Sequence, residues 1–129
     1  MALKKLKENV VGFIYEYYRT DNDEIVYRGS SEHQEDKWGD PLEKVDKWHR
    51  EGNTFKTKYP YSWTVFRCSL RTPFGEKVKI RYVYEPKEMT YEELLKLEGN
   101  CIQEAQKDGL CYLNHTSDPL KSFLKWNKK

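Results

Sequence analysis

The sequence predicts a small α/β (α+β) domain, a mainly antiparallel sheet of three or four strands flanked by helices. Three observations predict it. Val11, Phe13, Tyr15 and Tyr17 alternate with Gly12, Ile14, Glu16 and Tyr18, the period of two that marks a strand. A second run, Ile25-Val26-Tyr27-Arg28-Gly29, follows the turn formers Thr20-Asp21-Asn22-Asp23, so the two runs make a hairpin. Farther along, Thr90 and Glu93 stand at capping-box spacing, and Tyr91, Leu94, Cys101, Ile102 and Ala105 recur every three or four residues, as one face of a helix does. A chain of 129 residues is expected to form one domain, residues 1–129.

The elements follow in order. Residues 1–9 are Lys-rich and polar, a short helix or a frayed end. The hairpin takes residues 10–29, with Gly29 stopping the second strand and allowing a tight turn or close approach of a ligand. Residues 30–39 are polar, with room for a short helix. Asp40 as N-cap and Pro41 at the first helical position open a helix that carries Leu42, Val45, Trp48 and His49 at helical spacing and ends at Gly52. Residues 53–61 form a loop, residues 62–70 a strand, and Thr72-Pro73-Phe74-Gly75 a turn. A strand over Lys77–Tyr84 alternates Val78, Ile80, Tyr82 and Tyr84; the capped helix then runs to about Gln106 and closes at Asp108-Gly109. Asp118-Pro119 starts a last short helix with Leu120, Phe123 and Leu124 inward.

Composition narrows the function classes. Ten Tyr, four Trp and five Phe imply a core built largely from rings, each of which buries a large area. The net charge is only +2, with both signs interspersed. Any nucleic-acid contact therefore depends on a local patch rather than bulk charge. No apolar run reaches membrane-spanning length, and the N-terminus lacks the apolar region of a secretion signal. Cys68, Cys101 and Cys111 are odd in number and form no Cys-x-x-Cys pattern. The expectation is free buried thiols in a reducing, intracellular compartment, cytoplasmic or nuclear, with no membrane association.

Glu98 is the residue that periodicity singles out. It lies in the middle of the apolar stripe, four after Leu94 and four before Ile102, and Gly99 follows it. A carboxylate there is costly unless a cation, a metal or a hydrogen-bond donor meets it. A Glu tilted to the edge of the stripe and paired with Lys satisfies the same pattern.

The hairpin, written "FIY" at 13–15 and "YRG" at 27–29, resembles the signature of the GIY-YIG nucleases, with Glu98 in "LLKLEGNCIQEA", Asn114 in "CYLNH" and the run "WTVFRCSL" at 63–70 falling in matching order. The resemblance spans residues 10–115 and implies a metal-dependent DNA endonuclease. It implies that Glu98 holds Mg²⁺ or Mn²⁺, that Tyr15 takes a proton from the attacking water, that Tyr27 orients water or phosphate, and that Asn114 positions Tyr15 or the backbone of the site. The cation that the family places after the second tyrosine is not an Arg in this chain. Lys37 in "EDKW" stands there, Pro41 occupies the usual His position, and His49-Arg50 follows on the next helix. Lys37, Arg50 or Arg28 is the candidate. Lys56 and Lys58, flanked by Phe55, Tyr59 and Tyr61, are candidates with Arg28 for tracking a phosphate backbone. The alternative is a weak or inactive nuclease-like domain that binds nucleic acid or a protein. DNA is the expected partner, with a second copy of the chain or a separate targeting partner open.

Overall fold

The computed structural model describes residues 2–33, 39–51, 66, 69–114 and 118–126. Among them the elements are α1 (Ala2–Leu6), β1 (Asn9–Arg19), β2 (Ile25–Glu32), α2 (Pro41–Glu51), α3 (Pro73–Glu76), β3 (Val78–Thr90), α4 (Tyr91–Gln106) and α5 (Pro119–Trp126). The strands form one antiparallel sheet in the order β2-β1-β3, as the alternating runs predict. No helix among the described residues is long and apolar enough to cross a membrane.

β1 is the central strand, and both of its faces are covered. Phe13, Tyr15 and Tyr17 join Val26 and Tyr27 of β2, Val45 of α2 and Phe66 in an aromatic core. Ile14, on the other face, packs with Leu94 and Cys101 of α4. Five rings share the first core with Val26, Val45, Leu70 and Val78. Tyr17 meets Phe66 edge-on with centroids 5.0 Å apart, and Tyr27 stacks on Phe66 at 4.0 Å. Full burial of Tyr17 is tolerable because its hydroxyl donates to the Asp46 carboxylate at 2.9 Å.

The hairpin turn places Asp23 in the left-handed region, φ 62°, a conformation Asp adopts more readily than most residues. At the start of α4, the Glu93 backbone N–H donates to Thr90 Oγ1 at 3.1 Å, and the Thr90 hydroxyl donates to the Glu93 carboxylate, so the cap forms as expected. Cys101 and Cys111 are buried free thiols, and Cys68 lies outside the described residues.

Four expectations change, the first being that the stretch read as a turn at Thr72–Gly75 carries the short helix α3, with Thr72 as its N-cap and Pro73 at its start. β2 does not stop at Gly29 but continues to Glu32, taking part of the stretch read as a short helix. The run at 62–70 is not a strand where it is described: Phe66 and Ser69 are helical, and the Leu70 N–H donates to the Phe66 carbonyl. β3 extends six residues past Tyr84 to Thr90, because its alternation breaks at Pro86 while pairing with β1 resumes beyond an irregularity between Gly12 and Ile14.

Glu16 is the buried charge of the sheet. It accepts from Arg28 Nε at 2.8 Å and from Arg81 Nε at 2.6 Å, and Arg28 also donates to the Cys101 carbonyl at 2.7 Å. The group thereby ties β1, β2, β3 and α4 together. Removing one member of a buried pair costs more than the pair contributes, because the partner stays charged without compensation. Glu16→Ala is therefore expected to destabilise the fold by about 3 kcal/mol, read as a lower urea midpoint at unchanged slope. A loss under about 0.5 kcal/mol, the usual surface value, would show that this network is not structural.

Candidate active site

A cleft of about 490 Å³ borders the edge strand β2. Tyr15, Tyr27, Gly29 and Ser30 line it from the sheet, Lys44, Trp48 and His49 from α2, and Glu98 from α4. α2 covers the tyrosine face of the sheet through Val45, and α4 covers the opposite face through Leu94 and Cys101. The tyrosines and Glu98 thus approach from opposite faces and meet around the edge strand.

Backbone register creates the first contact. Tyr15 stands opposite Gly29 across the two strands. A Cβ at position 29 would lie 2.5 Å from Tyr15 Oη and 2.6 Å from Cζ, so the Tyr15 ring crosses the bare Cα of Gly29. No larger residue leaves that path open. The ring passes on to His49, where Oη and Nε2 are 2.8 Å apart. His49 is one turn beyond Val45 on the buried face of α2. Burial strips water from the phenolate and raises the Tyr15 pKa well above that of a free phenol, and Tyr27, Tyr17 and Glu98 raise it further. The hydroxyl accordingly keeps its proton at neutral pH; it donates to Nε2 where His49 is the Nδ1–H tautomer and accepts from Nε2 in the other tautomer.

Glu98 is half-buried and accepts from both the Ser30 hydroxyl and the Ser30 backbone N–H. Burial pushes its carboxyl up to about 7, against the opposing pull of the Ser30 bonds. Among the described residues, no three His, Cys, Asp or Glu side chains gather as a metal-ligand cluster. A single carboxylate beside a hydroxyl suits Mg²⁺ or Mn²⁺, hard cations that keep several of their waters. It does not suit zinc, which takes three or four protein ligands.

The remaining candidates are placed elsewhere. Arg50 points away from the cleft: it donates to Asp46 at 2.8 Å, to the Gly75 carbonyl at 2.9 Å and to the Val78 carbonyl at 2.7 Å. Its guanidinium ties α2 to α3 and β3. Arg28 is committed to Glu16 and Cys101, with its side chain 14% exposed, so it presents no free fork to a phosphate. Asn114 holds backbone rather than Tyr15, the second of its two expected roles: its Oδ1 accepts from the Arg28 N–H at 2.9 Å and its Nδ2 donates to the Arg28 carbonyl at 2.8 Å, between the cleft residues Tyr27 and Gly29. With Cys111 N–H on the Ile25 carbonyl and Leu113 N–H on the Val26 carbonyl, it covers the first half of β2's outer edge and stops where the cleft begins. Lys37, Lys56 and Lys58 lie outside the described residues.

The sequence assigns no chemical role to six residues that line the cleft: Ser30, Ser31, Lys44, Val45, Trp48 and His49. His49 had a usable signal, an imidazole on the same helical face as Val45. Ser30 had none, since its partner is 68 residues away. Comparison with protein-family models, curated proteins and solved structures finds no match.

The raised Glu98 value has a consequence for stability. The carboxyl titrates near 4.5 when unfolded and near 7 when folded, so folding favours the protonated form. Its contribution is full below pH ~4.5 and is lost as pH rises through ~7. Glu98→Gln, which cannot ionise, should gain thermal stability relative to wild type as pH rises from 5 to 8, in metal-free buffer. A difference in melting temperature that stays constant across that range would show that Glu98 titrates normally.

Proposed function

We infer that this chain is a GIY-YIG-type endonuclease that hydrolyses phosphodiester bonds in DNA with one Glu-bound divalent cation. The observation that carries the reading is the convergence of Tyr15, Tyr27 and Glu98, drawn from three separate elements, on one cleft. The hydrogen bond between Tyr15 Oη and His49 Nε2 supports it further.

The geometry suggests how the residues divide the work. A buried phenol is a poor base by itself, and the elevated Tyr15 value makes it poorer. The bond to His49 supplies what is missing. As the phenol oxygen takes a proton from the attacking water, its own proton passes to Nε2, leaving neutral tyrosine and imidazolium. The hydroxide bonds to phosphorus, the P–O bond to the leaving oxygen breaks, and that oxygen is protonated from solvent. Tyr27, its ring held on Phe66, orients the water or a phosphate oxygen. Lys44, exposed on α2 at the cleft, replaces Arg50 as the cation that meets the nucleic-acid backbone there. Glu98 and Ser30 would hold Mg²⁺ or Mn²⁺, which supplies a charge sink for the phosphoryl group.

A binding-only domain is the second reading. The commitment of the Arg28 and Arg50 guanidinium groups to internal partners favours it, as does a Glu98 carboxylate already engaged by Ser30.

Plasmid cleavage in Mg²⁺ or Mn²⁺ separates the two. Glu98→Gln keeps the shape of the side chain and should abolish cleavage; equal nicking by the variant would remove the metal assignment. Tyr15→Phe keeps the ring across Gly29 and should cost about 1 kcal/mol of stability, one net hydrogen bond. Turnover should fall at least ~100-fold, the lower range for a lost proton-transfer group. Full activity in Tyr15→Phe would reject Tyr15 as the base.

A further inference from the structure

Trp48 is one of three large apolar side chains that are exposed among the described residues, at 45%, and it borders the same cleft as Tyr15 and Glu98. The placement follows from helical spacing. α2 buries Val45 and His49, so Lys44 and Trp48, each one position earlier, share the adjoining stripe four residues apart. Both are exposed and both line the cleft. Side chains at i and i+4 stand about 5–6 Å apart at Cβ, the scale of the separation between a backbone phosphate and its own base. An ammonium and an indole at that spacing match the two chemical parts of one nucleotide. The ammonium meets the phosphate, and the exposed part of the indole, whose ring also packs on His49 with centroids 4.9 Å apart, meets the base.

A base in a continuous duplex already has both faces covered by its neighbours. Only an unpaired base can give a face to Trp48. Resting on the nucleic-acid reading of the cleft, we propose that Lys44 and Trp48 form a lip that binds an unstacked nucleotide beside the phosphate to be cut. The substrate class is therefore single-stranded or locally unpaired DNA, in preference to continuous duplex. Lys44 holds the backbone in register, and Trp48 sets the preference.

Equilibrium binding of the full chain in EDTA tests the lip apart from cleavage. The probes are a fluorescent single-stranded oligonucleotide and a hairpin duplex of the same sequence, read by anisotropy. The wild type should bind the single strand more tightly. Trp48→Ala should weaken single-strand binding roughly 5- to 100-fold, the range for loss of one base–aromatic stack, and duplex binding less than ~2-fold. Trp48→Phe should restore most of the loss, because a ring remains. Lys44→Ala should weaken both and reduce the salt slope by about one unit. Equal losses for strand and duplex, or no loss in Trp48→Ala, would overturn the lip. On a duplex with one unpaired stretch in Mg²⁺, cuts should cluster at that stretch and spread in Trp48→Ala. A chain that cuts DNA with unchanged preference in Trp48→Ala loses the lip and keeps the nuclease reading. A chain that stacks single strands through Trp48 but never cuts keeps the lip and loses the nuclease reading.

Discussion

β1 is paired along both edges and covered on both faces, so its central residues, Gly12 to Tyr17, are buried and their side chains must be satisfied by protein rather than by water. The rest of the domain follows from how that demand is met. On one face Phe13, Tyr15 and Tyr17 require a thick apolar layer, which α2 and Phe66 provide. On the other, Ile14 requires the apolar stripe of α4, and Glu16 requires cations, which Arg28 and Arg81 supply from the two neighbouring strands. A strand with polar groups on both faces cannot be buried without such partners.

Burial also gives the tyrosine hydroxyls their chemistry. A ring in the core costs little, but its oxygen must be hydrogen-bonded. Tyr17 finds Asp46 and Tyr15 finds His49, both on α2. The first contact is structural, because Asp46 is also held by Arg50, which in turn grips the Gly75 and Val78 carbonyls. The second borders a cleft. Two similar solutions to one packing problem thus differ in what surrounds them, and of the two only the Tyr15 pair lines the cleft.

The edge of β2 divides the same way. Residues 111–114 hydrogen-bond along its first half, ending in the two-point grip of Asn114 on Arg28. Glu98 takes over at Ser30. An edge strand needs its polar backbone groups covered, and here the cover passes from a loop to a half-buried carboxylate. That carboxylate is raised toward neutrality by burial. Glu98 therefore combines a structural bond with a charge that a divalent cation would stabilise, which is why the pH dependence of Glu98→Gln and its cleavage report on different properties of one group.

The sequence by itself determined the hairpin, the capped α4, the start of α2 and the strand after α3, because period, turn chemistry and caps are local properties that neighbours in the chain specify. The grouping of Tyr15, Tyr27 and Glu98 came from a resemblance in the order of these residues, and the three line one cleft. Tertiary structure decided the rest. Arg50 and Arg28 carry the charge expected at a phosphate site, yet Arg50 is held by Asp46 one turn earlier and by the distant Gly75 and Val78 carbonyls, and Arg28 by Glu16 across the hairpin and by the distant Cys101 carbonyl; no local pattern encodes the carbonyl partners. The strand expected at 62–70 gives way to helix at Phe66 and Ser69, because β-rich composition suits any ring-filled core and not only a sheet. His49 became the partner of Tyr15 only when Gly29, 14 residues from Tyr15 in the chain but opposite it in register, let the ring cross the strand. The pairing of those two positions depends on a contact between backbones, which leaves a glycine in the sequence as its only trace.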